Sequence, residues 1–162
     1  MLPKSPQSPI PGVLVVQWLR FTRIMARHPK NYTSPRGRLG MFGASMRGLA
    51  DVGFAKNPRK VIVGSETGVW DADFKAPLTK EKFLASNAAQ YTAFGKSMTA
   101  LLPHAFPHVG TKVDGEVCTL SGLLGVGHHA GAAGLASWVR DLSVRKKFKQ
   151  TTDTFHLTNG VF

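Results

Sequence analysis

"SPRGRLGMFGASMRGLADVGF", Ser34 to Phe54, opens as a turn punctuated by Gly37, Gly40 and Gly43 and closes as an apolar helix. Glycine reaches backbone conformations closed to other residues and lets a second backbone or a ligand approach closely. Arg36 and Arg38 stand among these glycines. Met41, Phe42, Met46 and Leu49 supply the apolar side chains that anchor a short helix, predicted over 41–52, into a core. A glycine floor edged by arginines suits a sugar or a phosphate.

Upstream, Val13, Val16, Leu19, Phe21, Ile24 and Met25 recur at helical spacing. That helix is expected to end near His28, because Pro29 disfavours a helical conformation in the residue before it. The proline-spaced "MLPKSPQSPIP" ahead of it reads as an extended arm. Downstream, Val61–Val63 is a short strand and "SETGVWDADFKAPLT" reads as an irregular excursion. A helix is predicted from Thr79 to Leu84, and a longer one capped by Ser86. Prolines 103 and 107 bracket a turn carrying the surface residues His104 and His108. "TKVDGEVCT" is a hairpin signal, with Asp114-Gly115 as its type I′ loop. "LSGLLGVGHHAGAAGLASWVRDL" reads as two helices meeting near Gly131. The expected architecture is α+β and mainly helical, with a small β lobe or hairpin. It divides into an arm (1–12), a domain (13–142) and a basic tail (143–162).

The chain has 162 residues, 43% hydrophobic, with a net charge of +12, as expected of a folded domain with an anionic partner. DNA, RNA, an acidic membrane face and the anionic bacterial cell wall all qualify. The basic clusters are Arg36/Arg38, Lys56/Arg59/Lys60 and Arg145/Lys146/Lys147/Lys149. Aromatic residues do not interleave with them in an RNA-binding pattern. The single Cys118 excludes a disulfide within one chain and a cysteine-based zinc site, and reads as a buried inert thiol. "GVLVVQWL", Gly12 to Leu19, is far short of the ~20 apolar residues a membrane span needs. The first 50 residues hold eight Lys or Arg and no acid, which also suits a mitochondrial presequence. The prolines at 3, 6, 9 and 11 fit an extended arm better.

Three segments, in order over residues 34–139, resemble the lysozyme-like superfamily. "SPRGRLGMFG" is similar to the glycine-rich turn that follows the catalytic helix and floors the sugar groove. "LTKEKFLASNAAQYTAF" resembles the "FL-x-N/D-P-x-x-Q-x-x-A" segment of phage and bacterial muralytic domains. "VGTKVDGEVCTLSGLLGVGHHAGAAGLASWV" resembles their hairpin and helix pair. The resemblance implies a lysozyme-like fold with a peptidoglycan-binding groove. It places Gly37, Gly40, Met41, Gly43, Trp70 and His128 at the substrate, and needs no cofactor or metal. His128-His129 is not read as a metal pair, since adjacent helical residues diverge by about 100°.

The chain departs from that pattern at the general acid. Glycoside cleavage needs a proton given to the leaving oxygen, normally by a carboxylic acid of raised pKa. The stretch before the turn, "RIMARHPKNYTSPRG", has no Glu or Asp, and the first acid is Asp51. Gly43 also stands where the family carries Gln. Glu66 is the candidate acid from the β lobe, with Asp71 or Asp73 as partner, against their pairing with Lys56, Arg59 and Lys60. His28 is a second candidate, against a helix-terminal cation. The expected function is thus a phage virion protein of the tail tip or baseplate. It would act at the bacterial periplasm and cell wall with degenerate catalysis, meeting other virion subunits through the arm and the tail. An active glycan-strand hydrolase or lytic transglycosylase, and a basic nucleic-acid-associated protein, are the alternatives.

Overall fold

The computed structural model describes residues 7–162. These form seven helices and two small antiparallel hairpins, an α+β and mainly helical chain as expected. No helix among the described residues is long and apolar enough to cross a membrane. The chain divides into two compact units. One contains residues up to Met25 and Met98–Phe162; the other spans Ala26–Ser97.

The second unit carries the glycine-rich stretch. Its elements are α2 (Met46–Asp51), β1 (Ala55–Val63), β2 (Glu66–Phe74), α3 (Lys80–Ala85) and the first half of α4 (Asn87–Ala105). Leu39, Met46, Leu49, Ala55, Ala72, Phe83 and Ala93 make its core. Local chemistry starts each helix. Ser45 caps α2 by accepting from the Gly48 N–H, and Thr79 caps α3 through the Lys82 N–H. Ser86 accepts from the Ala89 N–H at 3.0 Å to open α4.

The segment expected to be irregular is instead β2. It pairs with β1 over nine residues each, from Ala55 opposite Phe74 to Val63 opposite Glu66, with breaks in register between Lys56 and Arg59 and between Val61 and Val63. The first break carries Asn57 at φ 55°. Asp71 and Asp73, which weaken the strand pattern, both reach Arg59 across the ladder, at 2.8 and 3.2 Å. Cross-strand charge pairing here replaces the β-branched run that sequence reading looks for.

The other unit contains α1 (Val15–Met25), the end of α4, a 3₁₀ turn (Phe106–His108), β3 (Lys112–Val113), β4 (Glu116–Val117), α5 (Leu120–Arg140), α6 (Leu142–Lys147) and α7 (Lys149–Thr158). Asp114 and Gly115 have φ of 51° and 86°, as the type I′ loop requires. Inside α5, Gly131 has φ 72° and ψ 173°, the break between the two predicted helices. Pro103 does not end α4, which runs to Ala105. Cys118 is buried, and burial pushes its thiol pKa up.

Most of the basic tail, 143–162, is helical, in α6 and α7. α7 packs along α5, and Phe155, Thr158 and Val161 are buried. The Phe162 ring meets Phe21 edge-on at 5.3 Å. The buried Ser121 hydroxyl organises the turn that follows. It donates to the Thr158 carbonyl at 2.6 Å and accepts from the Val161 and Phe162 N–H groups at 3.1 Å. The apolar end expected to order on a neighbour is therefore seated in its own unit. The arm is described only from Gln7; its first six residues lie outside the described residues. Ile10 is buried, with its N–H on the Ser8 hydroxyl.

Candidate functional site

The glycine-rich loop is built on itself before anything packs against it. Leu39 and Ala44 exchange backbone hydrogen bonds at 2.9 and 2.8 Å, and the Gly40 N–H donates to the Tyr32 carbonyl at 2.8 Å. The His28 N–H donates to the Met41 carbonyl at 3.2 Å. That long-range bond competes with the next turn of α1, so the helix stops at Met25 and not near His28.

Gln90 then fixes the loop from α4. Its Oε1 accepts from the Met41 N–H at 2.8 Å. Its Nε2 donates to the carbonyls of Lys30 at 2.9 Å, Phe83 at 3.1 Å and Leu84 at 3.3 Å. The side chain is buried, and its amide meets partners of the right polarity on both sides. Gln90 was legible only as the glutamine of a resembling segment. Its partners on the loop lie 49 and 60 residues away.

The glycines serve this packing. A Cβ on Gly40 would stand 2.5 Å from Gln90 Oε1, and one on Gly37 would lie 3.3 Å from Val69 and 3.4 Å from the Trp70 carbonyl. Both turn their bare Cα toward protein and not outward. Gly43 faces the His28 ring at 3.6 Å. Met41 and Phe42 are buried, and Phe42 stacks on Phe94 at 4.1 Å. Trp70 is half-buried on β2, with Arg47 and Lys60 over its ring at 5.0 and 5.4 Å. His128 lies in the other unit, on α5, half-buried and edge-on to His129 at 5.3 Å.

The carboxylates of α2 and the hairpin are all engaged by arginine. Glu66 meets Arg36 at 2.8 Å, Asp51 meets Arg47 at 2.9 Å, and Asp71 and Asp73 share Arg59. Asp73 has its pKa lowered by hydrogen bonds from Asn57 and Arg59. His28 occupies the chain position between α1 and the turn. Its ring stacks on Tyr32 at 3.8 Å and 6°. Burial, and then the neighbouring Arg27, push its pKa below the ordinary value, so the imidazole is neutral at pH 7. Among the described residues no three His, Cys, Asp or Glu side chains converge as a metal site would need.

No protein family, curated protein or solved structure matches the chain.

Proposed function

We propose that this chain is a lysozyme-like, peptidoglycan-binding module that holds a glycan strand without cutting it, as a structural part of a phage particle. The observation that carries this reading is the fate of the acid. Where a lysozyme-like domain needs a proton donor between its first long helix and its glycine-rich turn, this chain has the neutral, Tyr32-stacked His28. Glu66, the candidate replacement, directs its carboxylate at Arg36. A general acid must carry its proton at the leaving oxygen, and its loss removes about 10²–10⁴-fold in rate.

Binding asks less of the site. The loop is held by Gln90, and a net charge of +12 draws the module to an anionic wall. The setting at a tail tip or baseplate, reaching the periplasm, rests on the resemblance of the three motifs alone. Contact with other virion subunits would be made by the N-terminal arm and by the side chains that 143–162 leave exposed, among them Phe148 and Leu157.

The test is co-sedimentation with insoluble peptidoglycan, with soluble muropeptide release measured in the same tube. Binding without release, alike for the wild type and Glu66→Gln, is the expected result. Release by the wild type that Glu66→Gln abolishes would establish an active hydrolase. Failure of the wild type to sediment would remove the wall reading altogether.

A further inference from the structure

Two arginines are half-buried among the described residues, and the protein treats them oppositely. Arg145 uses four of its five donors. Its Nε and Nη2 donate to the two oxygens of Asp114 at 3.0 and 3.1 Å, and its Nη1 donates to the carbonyls of Trp138 and Val139 at 2.8 and 3.1 Å. The guanidinium also lies 5.9 Å from the Trp138 ring centre. Arg38, in the glycine-rich loop, uses one donor: Nη1 to the Gly43 carbonyl at 3.1 Å. No carboxylate among the described residues pairs with it. Its free edge is Nε with Nη2, the same edge that in Arg145 grips a carboxylate in a two-pronged bond.

That edge is not fully enclosed: no completely buried side-chain nitrogen or oxygen among the described residues lacks a hydrogen-bond partner, so the unused donors of Arg38 keep some contact with solvent in a half-buried side chain. The Gly43 carbonyl holds the guanidinium in place. Burial, and then the like charge of Arg36, push the Arg38 pKa down. Arg36 itself is satisfied by Glu66. A partly desolvated guanidinium with an open planar fork binds an oxyanion far better than an exposed lysine does.

We infer that Arg38 is a carboxylate-binding residue of the glycine-rich loop, and that the ligand carboxylate belongs to the peptide arm of the wall polymer. The identity of the ligand rests on the wall-binding reading above; the anion site itself does not. Two prongs on a planar fork suit a carboxylate or a phosphate alike; the wall-binding reading selects the carboxylate, and phosphate is the competing oxyanion.

The experiment follows the arginine Nε–Hε signals of the full chain by NMR. Sodium acetate, inorganic phosphate and a disaccharide-tetrapeptide are titrated against sodium chloride at matched ionic strength, and Arg38→Lys assigns the signal. Acetate and the disaccharide-tetrapeptide should move the Arg38 signal saturably, well beyond chloride. Arg38→Gln should weaken disaccharide-tetrapeptide binding about ten-fold, leaving an uncharged N-acetylglucosamine oligomer within about two-fold of wild type. Arg38→Lys keeps the charge but loses the fork and should fall between them. An Arg38 signal that moves no more than in chloride would overturn the inference. So would a response to phosphate alone, or an unchanged disaccharide-tetrapeptide affinity in a folded Arg38→Gln. Should acetate move Arg38 while neither glycan binds, the anion site stands and the wall reading fails.

Discussion

The loop over 34–45 and the helix α5 both carry close-set glycines, and each is tied to a distant segment of its own unit by a buried polar side chain: Gln90 of α4 reaches into the loop, while Ser121 reaches out from α5 to the turn after α7. The reasons differ. In the loop, Gly40 has φ 74° and a neighbour, Gln90, that leaves no room for a methyl group. In α5, Gly122 and Gly125 are ordinary helical residues, and what they supply is space: Cβ atoms there would press into Phe155, Thr158 and Asn159 of the α7 region. One segment needs glycine for backbone shape as well as proximity, the other for proximity alone. A glycine-rich sequence therefore does not by itself announce a ligand; in both places the gap is filled by the protein.

Removing the loop's clamp should do the most damage. Gln90→Leu strands the buried Met41 N–H and releases three carbonyls, and should cost about 3–5 kcal/mol in urea unfolding. Gln90→Glu should be no better, since a carboxylate would then face the Lys30, Phe83 and Leu84 carbonyls. Next comes Gly40→Ala, which adds left-handed strain of about 1–2 kcal/mol to the collision with Gln90. Gly125→Ala should cost less, because the ~1 kcal/mol gain in helix propensity offsets part of the clash with Thr158. Adding Thr158→Ala removes the clashing atoms and should recover much of the Gly125→Ala loss. A double change of Gly40→Ala with Gln90→Ala should show no net recovery: the collision is gone, but the strained φ remains and the hydrogen bonds of Gln90 to Met41 and Lys30 are lost with its side chain. Equal recovery in both pairs would erase the distinction between the two regions.

The smallest effect concerns pH. His28 has its folded pKa lowered by burial and then by Arg27, so the unfolded chain binds the proton at higher pH than the folded one. Its contribution is complete above about 6.5 and lost as the pH falls below that value. His28→Phe keeps a ring against Tyr32 and should flatten the acid-side decline of Tm between pH 7 and 5. An unchanged slope would place the titration elsewhere.

Much of the fold could be read where neighbours in sequence decide it. The helix start at Thr79, the cap at Ser86, the Asp114-Gly115 loop and the break at Gly131 are local chemistry, and each stands where the residues place it. β2 and α7 were not legible because distant groups complete them. β2 lacks a β-branched run and relies on Arg59 across the ladder, while α7 is threonine-rich and takes its place from the small face of α5. At the candidate site, the loop, its arginines and the absence of any Glu or Asp before Asp51 were visible. The engagement of Glu66 by Arg36 and the clamp by Gln90 were not, since each joins residues at least 30 apart.

The clamp on the glycine loop is an uncharged amide, while the forces expected to bring an anionic polymer to this protein are ionic. Salt weakens those surface attractions over a Debye length of about 10 Å at 0.1 M, but leaves a buried amide network nearly untouched. Shape and attraction are thus governed by separate variables. On the proposed wall binding, raising the ionic strength should release the polymer from a loop that keeps its form, so that capture and release would need no refolding of that surface.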